Sequence, residues 1–115
     1  MTKKIMIIDD EVPFCNLLAT MIENHGNYVI KKYSNSKKAL SEITDFKPDA
    51  VFVDMLMPGN DGGTVIKSIK ELLSPTPLTV MVTGMVTEDE ISGSSSPILA
   101  KPLNINSLIR ILEEL

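Results

Sequence analysis

The chain alternates short apolar runs with stretches of helical periodicity. The run ending Ile5-Met6-Ile7-Ile8 predicts a strand over Lys4–Ile8 that is covered on both faces. "DDEVP" follows, with Pro13 suited to a first helical turn. Phe14, Leu17, Leu18, Met21 and Ile22 then recur on one side of a helix predicted over about Pro13–His25. "HGN" ends it, and Gly26 is expected in the left-handed conformation that glycine adopts at little cost. Tyr28–Tyr33 is rich in β-formers, and "SNS" supplies an N-cap for a helix over roughly Lys37–Phe46. Pro48 closes that helix before the strand Ala50–Asp54. "MPGNDGG" is turn chemistry, with Asp61 placed to cap a third helix over Thr64–Leu73. "SPTP" leads into the strand Leu78–Thr83, Ile98–Ala100 is a short last strand, and Asn104 can cap a final helix running to Leu115.

Five strands alternating with helices define a doubly wound α/β domain with a five-stranded parallel sheet, because parallel strands need helical crossovers. One stretch breaks the rhythm. Between Met85 and Pro97, where a fourth helix belongs, the sequence offers only "TEDEI" before "SGSSSP". So few residues make little more than one turn, so the fourth helix is expected to be shortened.

With 115 residues, 43% hydrophobic and 23% charged, the chain has room for one domain, residues 1–115, with a real core. A net charge of −4 without a Lys/Arg cluster argues against nucleic-acid binding by this domain. No apolar run approaches the roughly 18 residues that span a bilayer, so no membrane partner is expected. "MTKK" runs straight into a strand, unlike a signal peptide, and the single Cys15 excludes an internal disulfide. A cytoplasmic location is the expectation.

The chemistry lies where strands end. Asp9-Asp10, Asp54, Thr83 and Lys101 each follow a hydrophobic strand, and in an open parallel sheet such positions converge on one crevice. Carboxylates, a hydroxyl and an ammonium suit a divalent cation and a phosphoryl group. Mg²⁺ accepts one or two carboxylates, a carbonyl and several waters. Asp9 or Asp10 could instead merely cap the first helix. Asp54 ends the central, most buried strand, where packing gives no reason for a carboxylate. An ionised aspartate can be a nucleophile toward phosphorus. Mg²⁺ held by Asp10 and Asp54 would meet one phosphoryl oxygen, Lys101 a second and the Thr83 hydroxyl a third. His25 at a helix end reads as a favourable interaction with the helix dipole, and Cys15 as packing.

"IIDDE", "DMLMPGNDG", "TG" and "KP", in this order after successive strands, resemble the receiver domains of two-component response regulators. The resemblance covers essentially the whole chain. It implies a flavodoxin-like strand order 2-1-3-4-5. It also implies phosphoryl transfer to Asp54 from a histidine kinase or phosphotransfer protein. Mg²⁺ would be bound by Asp9, Asp10, Asp54 and the backbone carbonyl of Leu56, with Thr83 and Lys101 as the switch pair.

Three departures qualify that expectation. The position three before the lysine, aromatic in the family, is Ile98, whose side chain cannot repeat a ring flip. The Thr83–Lys101 segment is about four residues shorter than usual, which fits the missing helical turns. Polar residues that commonly flank the path of the hydrolytic water are replaced by Leu56 and Met85. Slow self-dephosphorylation is therefore expected of a phosphoacceptor that is not a turnover enzyme. The alternative is a protein-binding module with the same fold that signals without phosphorylation. A Mg²⁺-dependent phosphohydrolase is disfavoured by the lack of an evident general acid or substrate pocket. The sequence leaves open the output partner, homodimerisation and whether an effector domain follows.

Overall fold

The computed structural model describes residues 2–57, 60–83, 98–100 and 104–115. Its main sheet contains β1 (Lys3–Ile8), β2 (Tyr28–Tyr33), β3 (Ala50–Asp54), β6 (Leu78–Thr83) and β7 (Ile98–Ala100). These lie in the order β2-β1-β3-β6-β7, and every neighbouring pair is parallel. Counting these five strands alone, the order is 2-1-3-4-5, as the resemblance implied. The two-residue strands β4 (Leu56–Met57) and β5 (Asn60–Asp61) pair antiparallel in the segment read as a turn.

Among the described residues, four helices cover this sheet: α1 (Val12–His25), α2 (Ser36–Phe46), α3 (Gly62–Leu72) and a C-terminal helix (Ile105–Glu113). Strand periodicity divides the core between them. Ile5, Ile7 and Phe52 point to the face that buries Leu18 and Ile22 of α1 and Leu108 and Leu112 of the C-terminal helix. Met6, Ile8, Val51 and Val53 meet Ile43 of α2 and Val65 and Ile69 of α3 on the other. All five residues of β3 are buried. This explains the unbroken apolar run before Asp54. None of the described helices is long and apolar enough to cross a membrane. The shortened helix expected between Met85 and Pro97 lies outside the described residues.

Two local expectations are corrected. Gly26 has φ 177° and ψ −164°, an extended conformation rather than a left-handed one, so the chain passes directly from α1 toward β2. A Cβ at Gly26 would lie 3.3 Å from the Tyr28 ring, so close approach is the constraint on this residue. Leu17 is 51% exposed, whereas Cys15, Leu18, Ala19 and Ile22 form the buried stripe of α1. Of the five predicted positions, Leu18 and Ile22 are buried and Phe14 and Met21 pack against the same core, so Leu17 alone departs from the predicted face.

The caps fare differently. Asn35 accepts the Lys38 backbone N–H at 3.2 Å at the start of α2. Asn104 accepts those of Asn106 at 2.9 Å and Ser107 at 3.3 Å. With that cap removed, Asn104→Ala should lose about 1 kcal/mol of stability, measured as a lower urea midpoint at unchanged slope.

Candidate functional site

The site begins where the strand order reverses. From β1 the chain returns to β2 on one side and to β3 on the other, which opens a crevice beyond the carboxyl ends of β1 and β3. Asp9 follows β1 and Asp54 ends β3, and they are 2% and 3% exposed. Backbone ladders continue past both strands and hold these residues in place. The Asp9 N–H donates to the Tyr33 carbonyl at 2.9 Å, and the Met55 N–H to the Val82 carbonyl at 2.9 Å. Asp54 is in register with Val82, beside buried Thr83, and Thr83 is in register with Ala100.

The loop after β1 is shaped by Asp9 itself. Its Oδ1 accepts the Glu11 backbone N–H at 2.8 Å, a short aspartate turn that feeds α1. Neither Asp9 nor Asp10 occupies the N-cap position. Glu11 does, with an extended backbone and no capping bond from its side chain, and the Cys15 N–H closes the first turn on its carbonyl at 3.0 Å. One carboxylate oxygen from each of Asp9, Glu11 and Asp54 lies within 4.8 Å of the others. Asp10 is exposed and does not belong to that trio.

Two carboxylates on a buried floor and a third at an exposed rim suit a hard divalent cation, which prefers oxygen ligands and retains waters. The donor set therefore fits the metal expected from the sequence. Of the residues predicted there, Asp9, Asp54 and Thr83 stand at adjacent strand ends. The Leu56 backbone lies in β4, just after Asp54, and Lys101 lies outside the described residues. Glu11 was not singled out from sequence. Its signal was a glutamate at an N-cap, where Ser, Thr, Asp and Asn are preferred.

Beside the crevice, a recess of about 190 Å³ is lined by Asp9, Val12, Cys15, Asn16, Lys32, Tyr33 and Ser34. This is smaller than the roughly 300 Å³ at which small-molecule sites begin. Lys32 donates to Asn16 Oδ1 at 2.9 Å across it. Burial and the neighbouring Asp9 push the Cys15 thiol up to about 11. It is thus a packing group with little thiolate character, as its sequence setting suggested.

A doubly wound parallel sheet with an acidic crevice at its switch point defines the class of architecture. The profile of the response regulator receiver domain family matches residues 5–113, and the chain belongs to that family, the receivers of two-component systems. It is 30% identical over 112 residues to sporulation initiation phosphotransferase F of Bacillus subtilis, covering 94% of this chain and 89% of that one. It is 35% identical over 94 residues to the regulatory protein VanR of Enterococcus faecium, covering 81% of this chain but 39% of the relative. The chain likewise spans 50% of a phosphate regulon transcriptional regulatory protein of Pseudomonas aeruginosa. Among solved structures, the signal receiver domain of a DNA-binding response regulator from Colwellia psychrerythraea superposes with a TM-score of 0.84 at 29% identity. That superposition covers 97% of this chain and 96% of the other. A receiver domain from Methylobacillus flagellatus shares the fold with a TM-score of 0.85 at 23% identity, covering 99% and 98%.

Proposed function

We propose that this chain is a cytoplasmic phosphoacceptor whose Asp54 takes a phosphoryl group from a histidine kinase or phosphotransfer protein in a Mg²⁺-dependent reaction. The observation that carries this reading is the placement of buried Asp9 and Asp54 at adjoining strand ends at the switch point, with Glu11 at the rim. The name of the Bacillus relative, a phosphotransferase, supports a partner of this kind.

Asp9, Asp10, Asp54 and the Leu56 carbonyl would hold the cation. When bound, it supplies positive charge that neutralises the carboxylates and the transferring phosphoryl oxygens. Asp54 ends the buried strand β3 and has one carboxylate oxygen within 4.8 Å of those of Asp9 and Glu11. One Asp54 oxygen forms the new O–P bond as the donor's P–N bond breaks. The electron pair leaves on the imidazole nitrogen, which takes up a proton. The Thr83 hydroxyl then donates to a phosphoryl oxygen, and Lys101 pairs with another. Those contacts favour one of two conformations, because they exist only with the phosphoryl group present.

Hydrolysis of the acyl phosphate requires an in-line water, and Leu56 and Met85 offer it no hydrogen bond. The phosphorylated form should therefore be long-lived, and Leu56→Asn should shorten its lifetime at least about tenfold by positioning that water. The lifetime is timed by the decay of phosphoprotein after desalting. An equal lifetime in both proteins would remove the argument from apolar flanks.

The reading itself is tested with beryllofluoride, a mimic of the phosphoryl group, by amide NMR. Mg²⁺-dependent shifts at Asp9, Asp54, Met55 and Thr83 are expected. Cation binding without any response to beryllofluoride would favour the phosphorylation-independent binding module, the reading to which Ile98 gives some support.

A further inference from the structure

We infer that Tyr33 and Glu42 are a positioning pair for the phosphoacceptor site. The hydrogen bond between their side chains fastens the end of β2 to α2, and so holds the Tyr33 carbonyl on which the Asp9 backbone rests. This role rests on the metal-dependent reading above and adds to it two residues that act through Asp9.

The need for such a fastening follows from the topology. Among the described residues β2 is an edge strand, with β1 as its only neighbour in the sheet. Tyr33 is its last residue, in register with Ile8. One further rung, from the Asp9 N–H to the Tyr33 carbonyl at 2.9 Å, sets the backbone where the site begins. Element ends open locally at lower cost than core strands do, and the last rung of an edge strand has support from one side only.

The Tyr33 side chain counters that tendency. It packs against the core that contains Ile8 and Ile43 of α2, and its hydroxyl donates to Glu42 Oε1 on α2 at 2.8 Å. Two ammonium groups also reach the Glu42 carboxylate, Lys31 of β2 at 3.8 Å and Lys38 of α2 at 3.5 Å. Burial and the bond to Glu42 push the Tyr33 hydroxyl up to about 12, so it stays a donor at neutral pH. The same bond draws the Glu42 carboxyl below its usual range, so it stays an acceptor. Because the hydroxyl belongs to the residue whose carbonyl carries Asp9, loss of the bond is felt first at that rung.

The test combines amide hydrogen exchange by NMR under native conditions with Mg²⁺ binding by calorimetry. It compares wild type with Tyr33→Phe, Glu42→Ala and Glu42→Gln. Both side chains are half-buried, and unchanged circular dichroism verifies the fold of each variant. Tyr33→Phe and Glu42→Ala should each speed exchange at the Asp9 amide about fivefold relative to Val53 in the central strand, the effect of one net hydrogen bond. Mg²⁺ binding should weaken about threefold in both, because groups that orient a ligand tune its affinity. Glu42→Gln, whose amide oxygen still accepts the hydroxyl, should largely restore both readouts. The double variant Tyr33→Phe with Glu42→Ala should be no worse than either alone, since the two lose the same bond. Equal acceleration at Asp9 and Val53 would reduce the pair to a general contribution to stability and overturn the inference. So would Glu42→Gln behaving like Glu42→Ala, or an unchanged Mg²⁺ constant in Tyr33→Phe beside a wild type that binds the ion. A wild type that binds no Mg²⁺ would instead overturn the metal-dependent reading, and the pair's role in the site with it, whatever exchange at Asp9 shows.

Discussion

Asp54→Asn is expected to be more stable than the wild type in metal-free solution and unable to accept a phosphoryl group. Both effects come from one oxygen. Three carboxylates within 4.8 Å repel one another, and Asp54 stands on the buried floor, where water screens poorly. Removing its charge should raise stability by about 1–3 kcal/mol after allowance for solvent around Glu11. The amide is far less nucleophilic than the carboxylate, and it weakens the cation site, so Mg²⁺-dependent phosphorylation should fall below detection. Thermal melts with and without Mg²⁺ check the first part. The cation should raise the wild-type midpoint by binding the folded state, and raise that of Asp54→Asn much less. A variant that melts below the wild type in metal-free buffer would mean that Asp54 is held by contacts stronger than the repulsion.

The second large effect is structural. Phe52 is fully buried in the middle of β3, where it packs with α1, β1 and the C-terminal helix. Phe52→Ala should cost about 3–5 kcal/mol, the sum of lost transfer energy and an unfilled cavity. Against a total stability of about 5–15 kcal/mol for a domain, that loss can bring the protein to the edge of unfolding. The readout is a fall in the urea midpoint at constant slope. The site should suffer too, because β3 delivers Asp54. A loss below about 1 kcal/mol would show that the helices collapse into the space.

Much of this was legible in the chain because both the sheet and the site obey simple periodicities. The strand Tyr28–Tyr33 lies where its β-formers placed it, and Ala50–Asp54, Leu78–Thr83 and Ile98–Ala100 lie where their apolar runs did. Asp54 and Thr83 could be read as site residues because each ends such a run. What was not legible depended on tertiary contact. Gly26 looked like a left-handed helix cap, yet its surroundings are set by a ring two residues on. Leu17 satisfied a helical pattern, but the sheet selected the stripe through Cys15, Leu18, Ala19 and Ile22. Glu11 was hidden for a related reason. Its neighbours Asp9 and Asp10 accounted for the acidic signal, and only the folded chain shows which third carboxylate lies near those of Asp9 and Asp54.

An acyl phosphate on Asp54 is tested most directly by chemical trapping. The wild-type protein is incubated with acetyl phosphate in Mg²⁺ or in chelator and weighed intact. It is then treated with borohydride, which reduces an acyl phosphate to an alcohol, and mapped by peptide mass. The expected result is one added phosphoryl group in Mg²⁺ only, with the reduced residue at position 54. An unmodified protein in Mg²⁺, or a reduced residue at any other position, would contradict it.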